Sequence, residues 1–186
     1  YNLYAANRPG ANGLYYTQVL DVSSEDYLNP ARKESENLYR EATASTPPLS
    51  IGAMNTFWRD KTVDMIAKDP IRVIKLWTYK TYAVLNSYEQ YNNLTYAFHK
   101  NRIPFLRYNP LNWGVLLILA TAGAFFLTRY DRKDAALIAM LIAGYSVSLT
   151  LYYASARFRL PLIPLLAILS GGVIAHGKAA LKNGKE

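Results

Sequence analysis

Apolar residues are distributed unevenly along this chain. The first 110 positions interleave them with charged and amide side chains, whereas the remainder holds three long runs free of Asp, Glu, Lys and Arg. The runs are Leu111 to Thr128, Ala135 to Ala154 and Leu160 to Ala175. At about 1.5 Å per helical residue they reach roughly 24–30 Å, the hydrocarbon thickness of a bilayer. The pattern predicts a mainly α, integral membrane fold. A small, mostly helical water-facing domain over 1–110 precedes three transmembrane helices at 111–128, 135–154 and 160–175, and 177–186 forms a basic tail.

Within the first 110 residues, turn signals stand at Arg8-Pro9-Gly10 and Asn12-Gly13, and alternation from Leu14 to Val22 predicts one short strand. Asn29 as cap and Pro30 in the first helical position open a helix to about Ala44, which Thr46-Pro47-Pro48 ends. Ser50 caps a second helix, Ile51 to Lys68, and Asp69-Pro70 closes it. Pro70 then opens a helix to about Asn86, with Ile71, Ile74, Trp77, Val84 and Leu85 at helical spacing. Its Arg72, Lys75 and Lys80 argue against a span. Two readings stand: a helix lying at the headgroup level, or one packed on its own domain. Tyr88 to Pro110 reads as irregular, leading to Trp113 as the interfacial anchor of the first span.

Charge refines this picture. Lys and Arg outnumber Asp and Glu by 13 to 10 in the first 110 residues and by 8 to 3 thereafter. The cations flank apolar runs or mix with acids and form no basic block, so anionic headgroups or a phosphorylated ligand explain them better than nucleic acid. The chain has no cysteine, and His99 and His176 are far apart, so no metal site is expected. A water-facing domain ahead of the spans implies export, and a transmembrane half upstream in the same protein is expected. The positive-inside rule weighs six cations on the side of Arg129 and the tail against five on the side of Lys100 and Arg157, leaving orientation open. Two spans separate the first 110 residues from the loop carrying Arg157 and Arg159, so both face the same side.

The third run is entered through Ala156-Arg157-Phe158-Arg159-Leu160-Pro161-Leu162-Ile163-Pro164. Two guanidinium groups within one turn of a helix N-terminus at a lipid boundary make an anion site, suited to a phosphate or diphosphate. The plainer alternative is a pair of flanking arginines snorkelling to lipid phosphates. Lys80 is a second candidate for a donor phosphate, or else a headgroup-level lysine. Glu89, Asn86 and Asn92 suit the hydroxyls of a sugar or an acceptor, or else form a solvated turn. Tyr4 offers a ring face to a sugar. Gly114, Gly123, Ala120 and Ala124 give the first span small faces for helix packing.

The Ala-Arg-Phe-Arg-Leu-Pro-Leu-Ile-Pro segment resembles the C-terminal region of bacterial glycosyltransferase family 39. These membrane enzymes are similar to protein O-mannosyltransferases and lipid A aminoarabinose transferases and have the GT-C architecture. The resemblance extends to Asn2-Leu3-Tyr4, Asn7, Ala11, Gly13 and Tyr15, to Trp58 and Asp69-Pro70, and to Lys80, Asn86, Glu89, Asn92 and Asn93. Ala5-Ala6 departs from the usual Ile-Gly pair, and Leu85 stands where an aromatic residue is frequent.

The resemblance implies transfer of a sugar from a polyprenyl-phosphate donor to a hydroxyl acceptor on the extracytoplasmic side of a bacterial inner membrane, with residues 1–110 on that side. Arg157, Arg159 and Lys80 would bind the donor phosphate. Asn86, Glu89, Asn92, Tyr4 and Asn7 would line the sugar or acceptor pocket. The family's catalytic Asp lies upstream, so no catalytic residue is expected within this chain and the chain alone would be inactive. No cofactor beyond the lipid-linked sugar is implied. The competing reading is a non-enzymatic membrane protein, a transporter or sensor subunit whose outer domain binds a ligand. A transporter normally carries ionisable residues in its spans, and these runs have none.

Overall fold

The structure is a computed structural model that describes residues 1–22, 28–46, 48–87, 96–108, 112–130 and 132–183, with side chains undescribed at 96, 97, 130 and 174–183. It is mainly helical, with no strand among the described residues. Two compact units emerge. The first comprises Tyr1–Lys80 and Leu151–Tyr153, and the second Thr81–Thr150 and Ala154–Glu186.

The first unit is built on α1 (Asn2–Asn7), α2 (Pro30–Thr43), α3 (Ile51–Lys68) and the beginning of α4 (Pro70–Leu85). The capping signals act as expected. Asn29 accepts the Arg32 N–H ahead of α2, Ser50 accepts that of Ala53 ahead of α3, and α3 stops at Lys68 before Asp69-Pro70. The aromatic part of the core centres on buried Trp58, whose ring meets Tyr1 edge-on at 4.6 Å, Phe57 at 4.9 Å and Tyr4 at 5.1 Å.

The strand expected over Leu14 to Val22 does not form. Asn12 Oδ1 accepts the N–H groups of Leu14 and Tyr15, Gly13 adopts φ +71°, and the N–H groups of Val19 and Leu20 go to Glu34. Side chains thus take the donors that a ladder would need.

The second unit holds the end of α4, then α5 (Tyr96–Arg102), α6 (Pro104–Arg107), α7 (Trp113–Tyr130), α8 (Arg132–Leu151), a 3₁₀ turn (Ala156–Leu162) and α9 (Ile163–Asn183). Tyr96–Arg107 is therefore helical where an irregular segment was expected. Pro104 accounts for the break, because it ends α5 just ahead of it and fits the first position of α6. The α8 helix and the stretch Ala156–Val173 are long and apolar enough to cross a membrane, and the apolar part of α7, Trp113–Arg129, is shorter. The third apolar helix proper begins at Ile163 rather than Leu160, because Ala156–Leu162 winds as a 3₁₀ turn with Pro161 inside it.

In this unit α7 packs along α9. The approach is so close that a Cβ at Gly123 would collide with the Leu169 carbonyl, and one at Gly172 would touch Gly123 O at 3.6 Å. Ala120 is buried alongside. The small residues of α7 thus act as the sequence pattern predicts, letting two backbones meet.

Candidate functional site

Asn7, at the C-terminal end of α1, ties that helix to α4. It is 1% exposed, and both faces of its amide are used. Oδ1 accepts from Lys80 Nζ and from Trp77 Nε1, each at 2.9 Å. Nδ2 donates to Leu3 O and to Leu151 O, each at 2.8 Å. Arg72 Nη1 donates to Asn7 O at 2.9 Å, placing a cation on the carbonyl end of α1. Helical spacing on α4 puts Arg72, Trp77 and Lys80 within reach of one short helix.

Lys80 is wholly buried and makes a second bond, from Nζ to Tyr152 O at 2.7 Å. Both of these acceptors are neutral. Burial pushes its pKa down to about 8. The stem lies against Gly13, where a Cβ would collide with Lys80 Cε. Glycine is thus required at that position twice over, for its positive φ and for space. The ammonium faces inward, onto protein oxygens.

Glu34, fully buried on α2, is a second polar centre in the first unit. Oε2 accepts from Tyr1 Oη at 2.7 Å and from Tyr16 Oη, and Oε1 from the N–H groups of Leu20, at 2.7 Å, and Val19. Burial works to raise its pKa, yet the four donors outweigh it and hold the carboxyl below the usual range. Burial and the Glu34 charge push the Tyr1 and Tyr16 phenols upward. A carboxylate saturated in this way anchors a loop rather than taking a proton from a substrate.

The arginine-bearing turn lies in the second unit, and its two guanidiniums differ. Arg159 is 2% exposed, donates from Nη1 to Asn86 O at 2.7 Å, and stacks over the Trp113 ring at 5.4 Å. Trp113 is itself fixed by its Nε1 donating to Val84 O at 2.9 Å. The end of α4, the start of α7 and the turn are thereby clamped together. Arg157 is exposed, its guanidinium 5.1 Å from the Phe158 ring. The outward cation is Arg157, and Arg159 holds the turn that presents it.

The remaining sequence-predicted residues fall as follows. Tyr4 and Asn7 lie on α1 in the first unit, and Tyr4 edges a cleft of about 460 Å³ with Arg8, Glu41, Trp58 and Lys61. Asn86 lies in the second unit and offers its backbone carbonyl to Arg159. Glu89 and Asn92 lie outside the described residues. Among the described residues no group of three or more His, Asp or Glu is arranged to hold a metal ion.

Sequence reasoning missed Glu34, and it missed Trp113 as the platform for Arg159. Glu34 carries no signal that sets it apart from Glu36 two positions on, whereas Trp113 stood out only as an interfacial anchor. No protein-family model matches this chain, and no curated protein or solved structure matches it either.

Proposed function

We propose that this chain is the C-terminal part of a bacterial membrane glycosyltransferase of the family 39 type. It would accept a polyprenyl-phosphate-linked sugar on the extracytoplasmic face of the inner membrane and work with an upstream transmembrane half that supplies the catalytic carboxylate. The carrying observation is the 3₁₀ turn ahead of α9, which leaves the Arg157 guanidinium exposed at the entrance of an apolar helix while Arg159 is locked beneath it. A cation so placed suits the departing phosphate of a lipid carrier. Arg159 and Lys80 serve as positioning residues in this reading. Exposed apolar side chains on α8, including Leu137, Met140, Leu141 and Val147, support three membrane spans formed by α7, α8 and α9. The juxtaposition of Asn7, Gly13 and Lys80, all part of the motif resemblance, supports the family assignment.

The test is turnover of a polyprenyl-phosphate sugar by the full-length protein in proteoliposomes. Arg157→Ala should lower turnover at least about tenfold without altering insertion or thermal stability, and Arg157→Lys should recover part of it. Arg159→Ala should lower thermal stability together with activity. Normal turnover in Arg157→Ala removes the phosphate role.

A further inference from the structure

Residues 98–108 follow α4 and precede α7 in sequence, and they combine exposed large apolar side chains with cations. Phe98 is 50% exposed, Ile103 43%, Phe105 81% and Tyr108 76%. The same stretch carries Lys100, Arg102 and Arg107 and has no carboxylate. Water is a poor solvent for four large apolar side chains in one short segment.

Both arginines of the segment sit near aromatic rings. The Arg102 guanidinium lies 4.0 Å from the Phe98 centroid and that of Arg107 lies 5.9 Å from Tyr108. Such ring–cation pairs match the layered chemistry of a headgroup region, where aromatic bodies enter the ester level and cations meet phosphate. An acid-free surface complements anionic lipid. Trp113 opens α7 five positions after Tyr108, so the segment is tethered within a few residues of an apolar helix.

We infer that the α5–α6 segment is an interfacial anchor lying in the headgroup layer of an anionic bilayer. Phe98, Phe105 and Tyr108 enter the lipid ester region, and Lys100, Arg102 and Arg107 contact lipid phosphates. The inference rests on the membrane reading of α7, α8 and α9 and is independent of the transfer chemistry.

The chain has no cysteine, so only cysteines outside it need replacing before single nitroxide labels are introduced. The intact protein is labelled at Phe105→Cys, with Asp60→Cys on α3 as water reference and Met140→Cys on α8 as lipid reference, both being exposed positions. It is placed in phosphatidylcholine nanodiscs with or without about 30% phosphatidylglycerol. Accessibility to oxygen and to a water-soluble nickel chelate is read by electron paramagnetic resonance.

In the anionic discs, nickel access at position 105 should fall at least about threefold below that at position 60 while oxygen access stays high. Adding K100E, R102E and R107E together should return it toward the position 60 value. Nickel access at 105 equal to that at 60, with the 140 label lipid-like, overturns the anchor alone. Low access to both reagents marks burial against protein and also overturns it. A water-like label at 140 overturns the membrane reading and the anchor together.

Discussion

Asn7 Oδ1 and Lys80 Nζ meet at 2.9 Å across a sequence separation of 73, and neither group reaches solvent. The ammonium is held by an amide oxygen and a peptide carbonyl, so its charge is solvated by dipoles. Replacing Asn7 by Ala takes that acceptor from the buried Lys80 Nζ and the half-buried Trp77 Nε1. A loss of about 3 kcal/mol is expected, read as a lower thermal midpoint in detergent. Lys80→Met keeps the volume and removes the buried charge, and it should be near neutral or stabilising. Equal destabilisation by both variants would refute this account.

The same lysine sets a pH dependence. Its folded pKa of about 8 lies below the ordinary lysine value of 10.5. Below pH 8 both folded and unfolded chains bind the proton, and the folded state bears the full cost of the buried ammonium. Above it the unfolded chain binds more protons, so stability rises with pH through the window up to 10.5, by at most about 1.4 kcal/mol per pH unit. The tyrosines oppose this above about pH 10, where the unfolded phenols ionise first. Unfolding scans from pH 8 to about 9.5 should therefore show a gain in the wild type that Lys80→Met lacks.

Glu34 acts at the other end of the scale. Its carboxyl is held low by four donors, so the stability it provides is present above its unfolded pKa and is lost as pH falls through its folded value. Glu34→Gln turns two acceptor positions into donors that face existing donors. The expected cost is about 2–3 kcal/mol, with the acid-side loss of stability reduced. An unchanged acid profile in the variant would exclude Glu34 as its source.

Helix packing in the second unit can be tested with two glycines. A side chain at Gly123 runs into the Leu169 backbone, which has no rotamer to give way, while nothing lies within 4 Å of a Cβ at Gly144. Gly123→Val should cost about 2 kcal/mol or more in detergent unfolding, and Gly144→Val much less. Comparable effects at both sites would mean that the α7–α9 approach is not what limits stability.

The outline of the fold was legible wherever a local rule governed it. Asn29 with Pro30, Ser50, and Asp69 with Pro70 act through their own backbone neighbours, and the helices begin and end there. The long apolar runs became helices, in which each segment satisfies its own backbone hydrogen bonds. Some misses lie in local signals, as at Pro104 within Tyr96–Arg107, and others in residues far along the chain. Leu14 to Val22 alternates like a strand, yet Glu34 and Asn12 take its donors. For Lys80 only the fold reveals the bonds to Asn7 and Tyr152. Arg157 and Arg159 are alike in sequence, but a 3₁₀ turn sends one outward and seats the other on Trp113.

Because Leu151–Tyr153 belongs to the first unit, that unit is discontinuous along the chain. Leu151 and Tyr152 supply the carbonyls that complete the coordination of Asn7 and Lys80. During synthesis these acceptors emerge roughly 70 residues after Lys80, a delay of several seconds at ribosomal speed. Until α8 has left the ribosome, the first unit waits with a lysine and an amide half-satisfied. Maturation of this domain is thus timed by a segment made long after the rest of it.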